Sequence, residues 1–299
     1  MKKILYTFLV AALILVSAPN VLATSDVYYT NNEGLTMTEQ QYNNLLNQGF
    51  TERQIARMDY ETFEKNKDIE AEIVAIEKKY VKTTTIMRNG IEFHTSEYLT
   101  EEEMMEEVQA AKEQPQYPRY VPGTYYNGSS YTSYKVIQTV IANIDDYTMR
   151  YKLDTYWYTI PSQRSYDIMG IGIEANKVQI NSGIDFRQDW WTTSDESGYS
   201  TGRYDKTTST GGIVLFPLPS GSLETLEQSM YFYVDKKPGV NTVTSLTATG
   251  DYAHATANVT NNVYNYMSVN VAGGIEVDNP YHTSYDEMNE AIAYFVGTW

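Results

Sequence analysis

The chain has 299 residues, 42% hydrophobic, 20% charged and 13% aromatic, which is the composition of a globular protein and excludes a disordered tail or a collagen-like fibre. A formal charge of −16 and a pI near 4.6 remove the basic field that nonspecific nucleic-acid binding and attachment to anionic lipid require. The absence of cysteine excludes a disulfide framework, thiolate metal sites, thiol nucleophiles and a lipidated cysteine anchor.

Lys2 and Lys3 precede an apolar run from Ile4 to Val16, and Val21-Leu22-Ala23 supplies the small residues a signal peptidase reads. Residues 1–23 are therefore read as a cleaved signal peptide. Ser17, Pro19 and Asn20 break the run short of the roughly 20 apolar residues a membrane span needs. The product is expected to be secreted or loosely associated with the cell envelope, with no stable membrane span.

Residues 24–115 hold 19 acids against 9 bases and read as a small acidic, mainly helical unit. Thr38 with Gln41, and Thr51 with Gln54, have the spacing of capping boxes, and Gly49 between them suits a left-handed helix end. Two short helices in a hairpin are predicted. Asp59 to about Tyr80 is predicted as a further helix with Phe63, Ile69, Ile73 and Ile76 as its apolar positions. Thr83 to His94 reads as a hairpin turning at Asn89-Gly90. Thr100 and Glu103 open an acidic helix to about Lys112.

Pro115, Pro118, Pro122 and Gly123 mark a boundary, after which 21 of the 28 tyrosines and all four tryptophans follow in runs rich in Thr, Val and Ile. Residues 116–299 are predicted to form an antiparallel β-sandwich with a C-terminal helix. The fold class is α+β, mainly β. The strand candidates are Ser133 to Asn143, Tyr147 to Ile160, Asp167 to Ala175, Val178 to Trp190, Gly211 to Phe216, Gln228 to Val234, Val243 to Val259 and Val263 to Val277. Alternation pairs the last two as a hairpin through Thr260-Asn261-Asn262, with Tyr252 and His254 opposite Tyr264 and Tyr266 on one face. Ser284 and Glu287 start the final helix, with Met288, Ala291, Ile292 and Phe295 on one side.

Chemistry is sparse. His94, His254 and His282 fall in different segments, outside any HExxH helix, so no metal site is predicted; His254, alternating with alanines, reads as structural. No GxSxG elbow occurs. With 38 acids, some two carboxylates always fall close together, so proximity alone does not single out a glycosidase pair. Calcium is the one cofactor the loops Asp145-Asp146, Asp185 with Asp189, and Asp195-Glu196 could take through oxygen ligands, although none has the spacing of a calcium-binding loop.

Two aromatic constellations stand out. Trp157 followed by Arg164 and Asp167 reads as a buried Trp beside an Arg–Asp clasp across a turn. Trp190 and Trp191, adjacent in a strand, must face opposite sides, and one of them could serve as a stacking platform. The candidate contact surface is Tyr252, Tyr264 and Tyr266 with Trp190 or Trp191.

The stretch Tyr131 to Ile173, with Trp157, Pro161, Arg164-Ser165-Tyr166-Asp167 and Gly170-Ile171-Gly172, resembles uncharacterised exported proteins of Gram-positive bacteria in which a Trp, a Pro and an Arg-Ser-Tyr-Asp turn recur. The helical hairpin Leu35 to Met58 is similar to theirs too. The resemblance implies export and no activity, and no disulfide carries over to a cysteine-free chain. Three functions follow as expectations. The first is a noncatalytic binding or surface-interaction protein contacting a glycan or a protein surface. The second is a secreted hydrolase acting on glycans through paired carboxylates, and the third a pore-forming toxin built on the alternating hairpin Thr242 to Gly274.

Overall fold

The computed structural model describes residues 27–89, 91–113, 130–161, 164–193, 197–200, 204–270, 274–278, 285–286 and 289–299. The signal peptide, the boundary near residue 115, Asp195-Glu196 and His282 lie outside them. In chain order the elements are β1 (Tyr29–Thr30), β2 (Thr36–Met37), α1 (Glu39–Asn47), α2 (Glu52–Ala56), α3 (Tyr60–Asn66), β3 (Glu72–Arg88), β4 (Ile91–Leu99) and α4 (Glu101–Glu113). Then follow β5 (Ser130–Asn143), β6 (Thr148–Thr159), β7 (Tyr166–Ile173), β8 (Val178–Ile180), β9 (Asp185–Thr192), β10 (Ser197–Ser200), β11 (Tyr204–Thr207), β12 (Gly211–Pro217) and β13 (Leu223–Lys236). The chain continues with β14 (Ser245–His254), a 3-10 helix (Asn261–Tyr266), β15 (Met267–Val269), β16 (Ile275–Val277) and β17 (Asn289–Val296).

An eight-stranded sheet runs β10-β9-β13-β6-β5-β3-β4, with β8 also on β13, and a five-stranded sheet runs β11-β12-β7-β14-β17. Neighbours in both are antiparallel. Tyr151, Leu153, Trp157 and Phe232 of the larger sheet meet Met169, Ile171, Leu246 and Tyr252 of the smaller one in a shared core. A β-sandwich is thus formed. Each sheet is covered on its outer face as well. Met37 of β2 and Leu45, Phe50, Ile55 and Phe63 of the α1–α3 segment pack on Tyr231 of the larger sheet, while Val263, Met267, Val269 and Ile275 pack on Ile168, Ile213 and Ala253 of the smaller.

The capping boxes form as spaced. Gln41 N–H donates to Thr38 Oγ1 at 3.2 Å and Thr38 N–H to Gln41 Oε1 at 3.1 Å, and Thr51 and Gln54 repeat both bonds at the same distances. The Thr100 box is also present, with Glu103 N–H donating to Thr100 Oγ1 at 3.2 Å. Gly49 has φ +86, the left-handed conformation its side-chain-free backbone permits.

Several expectations are corrected. The helix from Asp59 to Tyr80 stops at Asn66, because Ile73, Val74, Ile76, Val81 and the threonines after it are β-branched and continue as β3. The 24–115 segment therefore supplies two strands, β3 and β4, to the larger sheet, and β3 pairs directly with β5 beyond residue 115. The C-terminal helix is replaced by β17, in which Ala291, Ala293 and Phe295 alternate into the core while Ile292, Tyr294 and Val296 stay outside. The Val178–Trp190 strand divides into β8 and β9. The hairpin of Val243–Val259 with Val263–Val277 does not form: β14 pairs with β7 and β17, and Asn261–Tyr266 is a 3-10 helix. The alternating face on which the pore reading depended is therefore absent from the fold, since β14 sits between two strands of a closed sandwich. No helix among the described residues is long and apolar enough to cross a membrane.

Candidate functional site

The expected aromatic surface is dispersed. Tyr252 is 0% exposed; its hydroxyl donates to Asp167 Oδ2 and accepts from Trp157 Nε1 at 3.0 Å. Core-facing parity on β14 puts it inside the sandwich, so it cannot meet a ligand. Tyr264 and Tyr266 lie in the 3-10 helix on the far side of the smaller sheet, where the Tyr264 hydroxyl donates to Asp205 O at 2.7 Å. Trp190 packs against the sandwich core, and Trp191 faces the other way beneath the Arg57 guanidinium, 3.3 Å from its ring centroid. The adjacent tryptophans take opposite sides, but no single face gathers the five residues.

The Arg164–Asp167 clasp is likewise corrected. Position 167 of β7 points between the sheets, where Asp167 Oδ1 lies 2.6 Å from His254 Nδ1 and Oδ2 accepts from Tyr252 and, at 3.3 Å, from Gln228 Nε2. Arg164 precedes the strand and donates to Pro219 O at 3.4 Å. Trp157 is buried, as the core role requires.

A cleft of about 290 Å³ opens instead on the outer face of the larger sheet. Period-2 alternation along β6 sends Arg150, Lys152, Asp154, Tyr156 and Tyr158 outward, away from the sandwich core. Cross-strand register sets Gln138 beside Asp154, and Glu227 of β13 beside Tyr156. Tyr80, Val136, Tyr158 and Lys78 extend this floor, and Thr51, Glu52 and Arg53 at the start of α2 form a wall with Glu101 opposite. The Arg53 guanidinium sits 3.9 Å from the Tyr156 ring centroid and 5.8 Å from that of Tyr158, and the two tyrosine rings meet edge-on at 4.9 Å. Planar aromatic and guanidinium faces thus line a polar recess.

Two carboxylates stand at its base. Asp154 is ion-paired with Lys152 and accepts from Gln54 Nε2 at 2.7 Å, while Lys152 also donates to Gln54 Oε1 at 2.9 Å. Glu227 accepts from Thr51 Oγ1 at 3.4 Å. Burial, reinforced by the negative charge of Asp154 and opposed by Lys152, pushes the Glu227 carboxyl up to about 7. Burial raises the Tyr156 and Tyr158 phenols as well, with Arg53 opposing the shift in both. Among the described residues, no group of three or more His, Asp or Glu side chains gathers closely enough to hold a metal ion.

None of Asp154, Glu227 or Arg53 stands out in the sequence. The available signal was the row Lys152, Asp154, Tyr156, Tyr158 on one strand face, which reads as a solvated face until the helices that cover it are placed.

No family model and no curated protein sequence matches the chain. Among solved structures, the collagen-binding domain from a Staphylococcus aureus adhesin is 13% identical with a TM-score of 0.24, over 36% of this chain and 76% of that one. The collagen-binding domain of the Erysipelothrix rhusiopathiae surface protein RspB is 9% identical with a TM-score of 0.25, over 56% of this chain and 71% of that one. Collagen binding is a property of those two proteins.

Proposed function

We propose that the protein is an exported, noncatalytic binding protein that contacts a glycan or a protein surface through the cleft between α2 and the larger sheet. The observation that carries this reading is the cleft lining: Tyr80, Tyr156, Tyr158 and Arg53 offer flat faces and hydrogen-bonding edges, the combination that recognises sugar rings and polar peptide groups. The carboxylates below are engaged by the helical layer, since Asp154 is held by Lys152 and Gln54. They anchor α2 and so shape the cleft. The test is a glycan array with a cell-wall pull-down, repeated on Arg53→Ala and Tyr158→Ala. Both substitutions are expected to weaken binding at least tenfold, the loss of about 1.4 kcal/mol of contact energy. Binding that survives both rules out this cleft.

A second reading rests on one feature. Glu227, raised to about 7 beside the ion-paired Asp154, keeps its proton well above the ordinary carboxylate range, as a glycosidase proton donor must. In that reading Glu227 donates the proton to the leaving oxygen and Asp154 is the partner carboxylate. Release of reducing ends from cell-wall polysaccharide, abolished in Glu227→Gln, supports the hydrolase; binding without release in the wild type leaves the noncatalytic function.

A further inference from the structure

Lys135 occupies an inward-facing position of β5, in register with Trp157 on β6 and Val81 on β3. Its side chain is 0% exposed and that of Asp286, which just precedes β17, is 2% exposed. Lys135 Nζ lies 3.2 Å from Asp286 Oδ2. The other carboxylate oxygen, Oδ1, accepts the His254 backbone N–H at 2.7 Å, and the Asp286 N–H donates to His254 O at 2.9 Å, which fixes the carboxyl group on the edge of β14. Above Nζ stand the rings of Tyr252 at 4.6 Å and Trp157 at 5.0 Å. Amine and carboxyl are thus held one hydrogen bond apart in an aromatic enclosure.

We propose that Lys135 and Asp286 condense in the folded protein into an intramolecular amide linking Nζ to Cγ. The balance closes within the pair. The ammonium passes one proton to the carboxylate, leaving a neutral amine and a carboxylic acid. The amine lone pair then forms the N–C bond while the C–OH bond breaks, and the leaving hydroxyl carries off a second nitrogen proton as water. The His254 N–H polarises the carbonyl oxygen that remains, and no oxidant or activating group is required.

Two physical effects favour the product. Fixed juxtaposition replaces a dilute encounter with an effectively unimolecular one. Condensation also removes two buried charges whose separation from water is costly. Solvated pairs such as Lys65–Asp185 and Lys82–Glu97 have neither advantage. Lys152–Asp154 is also buried, but both members bond Gln54 and Asp154 lines the cleft. The new bond ties the larger sheet to the smaller across 151 sequence positions in a chain that has no disulfide.

Intact mass of the purified, denatured protein, followed by peptide mapping, decides the matter. The mature chain is expected to be one water lighter than its sequence, with a branched peptide that joins the Lys135 and Asp286 segments. Asp286→Ala and Lys135→Met are each expected to restore the full sequence mass, and a restored mass is readable even from a poorly folded variant. Full sequence mass in the wild type overturns the proposal. So does a water loss that maps to another pair or persists in Lys135→Met.

Discussion

At the scale of single residues, the sandwich core and the outer face both hold polar groups in numbers that surface logic does not anticipate. Arg150 is fully buried between Tyr231, 3.6 Å from its ring centroid, and Phe50 at 4.4 Å, and donates to Gln48 Oε1 at 2.7 Å; burial lowers its pKa. Glu227 and Asp251 show the opposite shift, each carboxyl rising to about 7 chiefly through burial. A carboxyl whose folded pKa is raised binds its proton more tightly folded than unfolded. Its stabilising contribution is therefore complete below the ordinary value, 4.5 for Glu227, and is lost as pH rises towards 7. Replacing Glu227 with Gln keeps the shape and removes the ionisation. Glu227→Gln is expected to gain up to about 3 kcal/mol over the wild type at a pH near 8 and close to nothing near pH 4. Urea denaturation at the two pH values measures this. Parallel curves for wild type and variant across that range would exclude Glu227 as the titrating group.

At the scale of elements, what the sequence reveals is what local chemistry decides. Thr38 with Gln41, Thr51 with Gln54 and Thr100 with Glu103 specify helix starts within three residues, and all three bond as spaced. Asp59 caps α3 in the same way, with Thr62 N–H donating at 2.7 Å, but nothing so local marks its end. β17 was ambiguous for a physical reason. Ala291, Ile292 and Phe295 fit a helical stripe, while Ala291, Ala293 and Phe295 fit alternation, and only the neighbouring β14 selects the second. The cleft was illegible because Asp154 and Glu227 lie 73 positions apart in sequence and are buried by Gln54 and Thr51 from a third region. Glycines carry a testable contrast. Gly34 and Gly49 both have positive φ, +79 and +86, but a Cβ at Gly34 meets open space whereas one at Gly49 comes within 3.0 Å of Val140 Cγ1. Gly34→Ala is expected to cost about 1 kcal/mol from the left-handed backbone alone, and Gly49→Ala more because α1 must also lift from the sheet. Thermal denaturation of the pair ranks them; equal losses would show that the helix layer yields freely at Val140.

At the scale of the whole molecule, the smaller sheet is the middle of a stack, covered by the larger sheet on one face and by the 3-10 helix with β15 and β16 on the other. Its edge strand β17 is secured at both ends. Before it, Asp286 meets Lys135 of the larger sheet. After it, Trp299 exchanges two backbone hydrogen bonds of 2.9 Å with Val243, and its Nε1 donates to Asp145 O at 3.0 Å in the turn between β5 and β6. The indole therefore spans the two sheets, and Lys236 stands 4.8 Å from its ring. Removing it leaves the Asp145 carbonyl without that donor and opens a cavity against the sandwich core. Trp299→Ala is expected to cost about 3 kcal/mol, most of it from lost packing. Trp299→Phe, which keeps the ring but not the N–H, is expected to cost about 1–2 kcal/mol. Urea midpoints at constant m-value give both figures. If the two variants lose the same amount, the hydrogen bond to Asp145 rather than the ring holds this end of β17, whereas a loss below about 0.5 kcal/mol in Trp299→Ala means that the strand is retained by Asp286 and its sheet pairing alone.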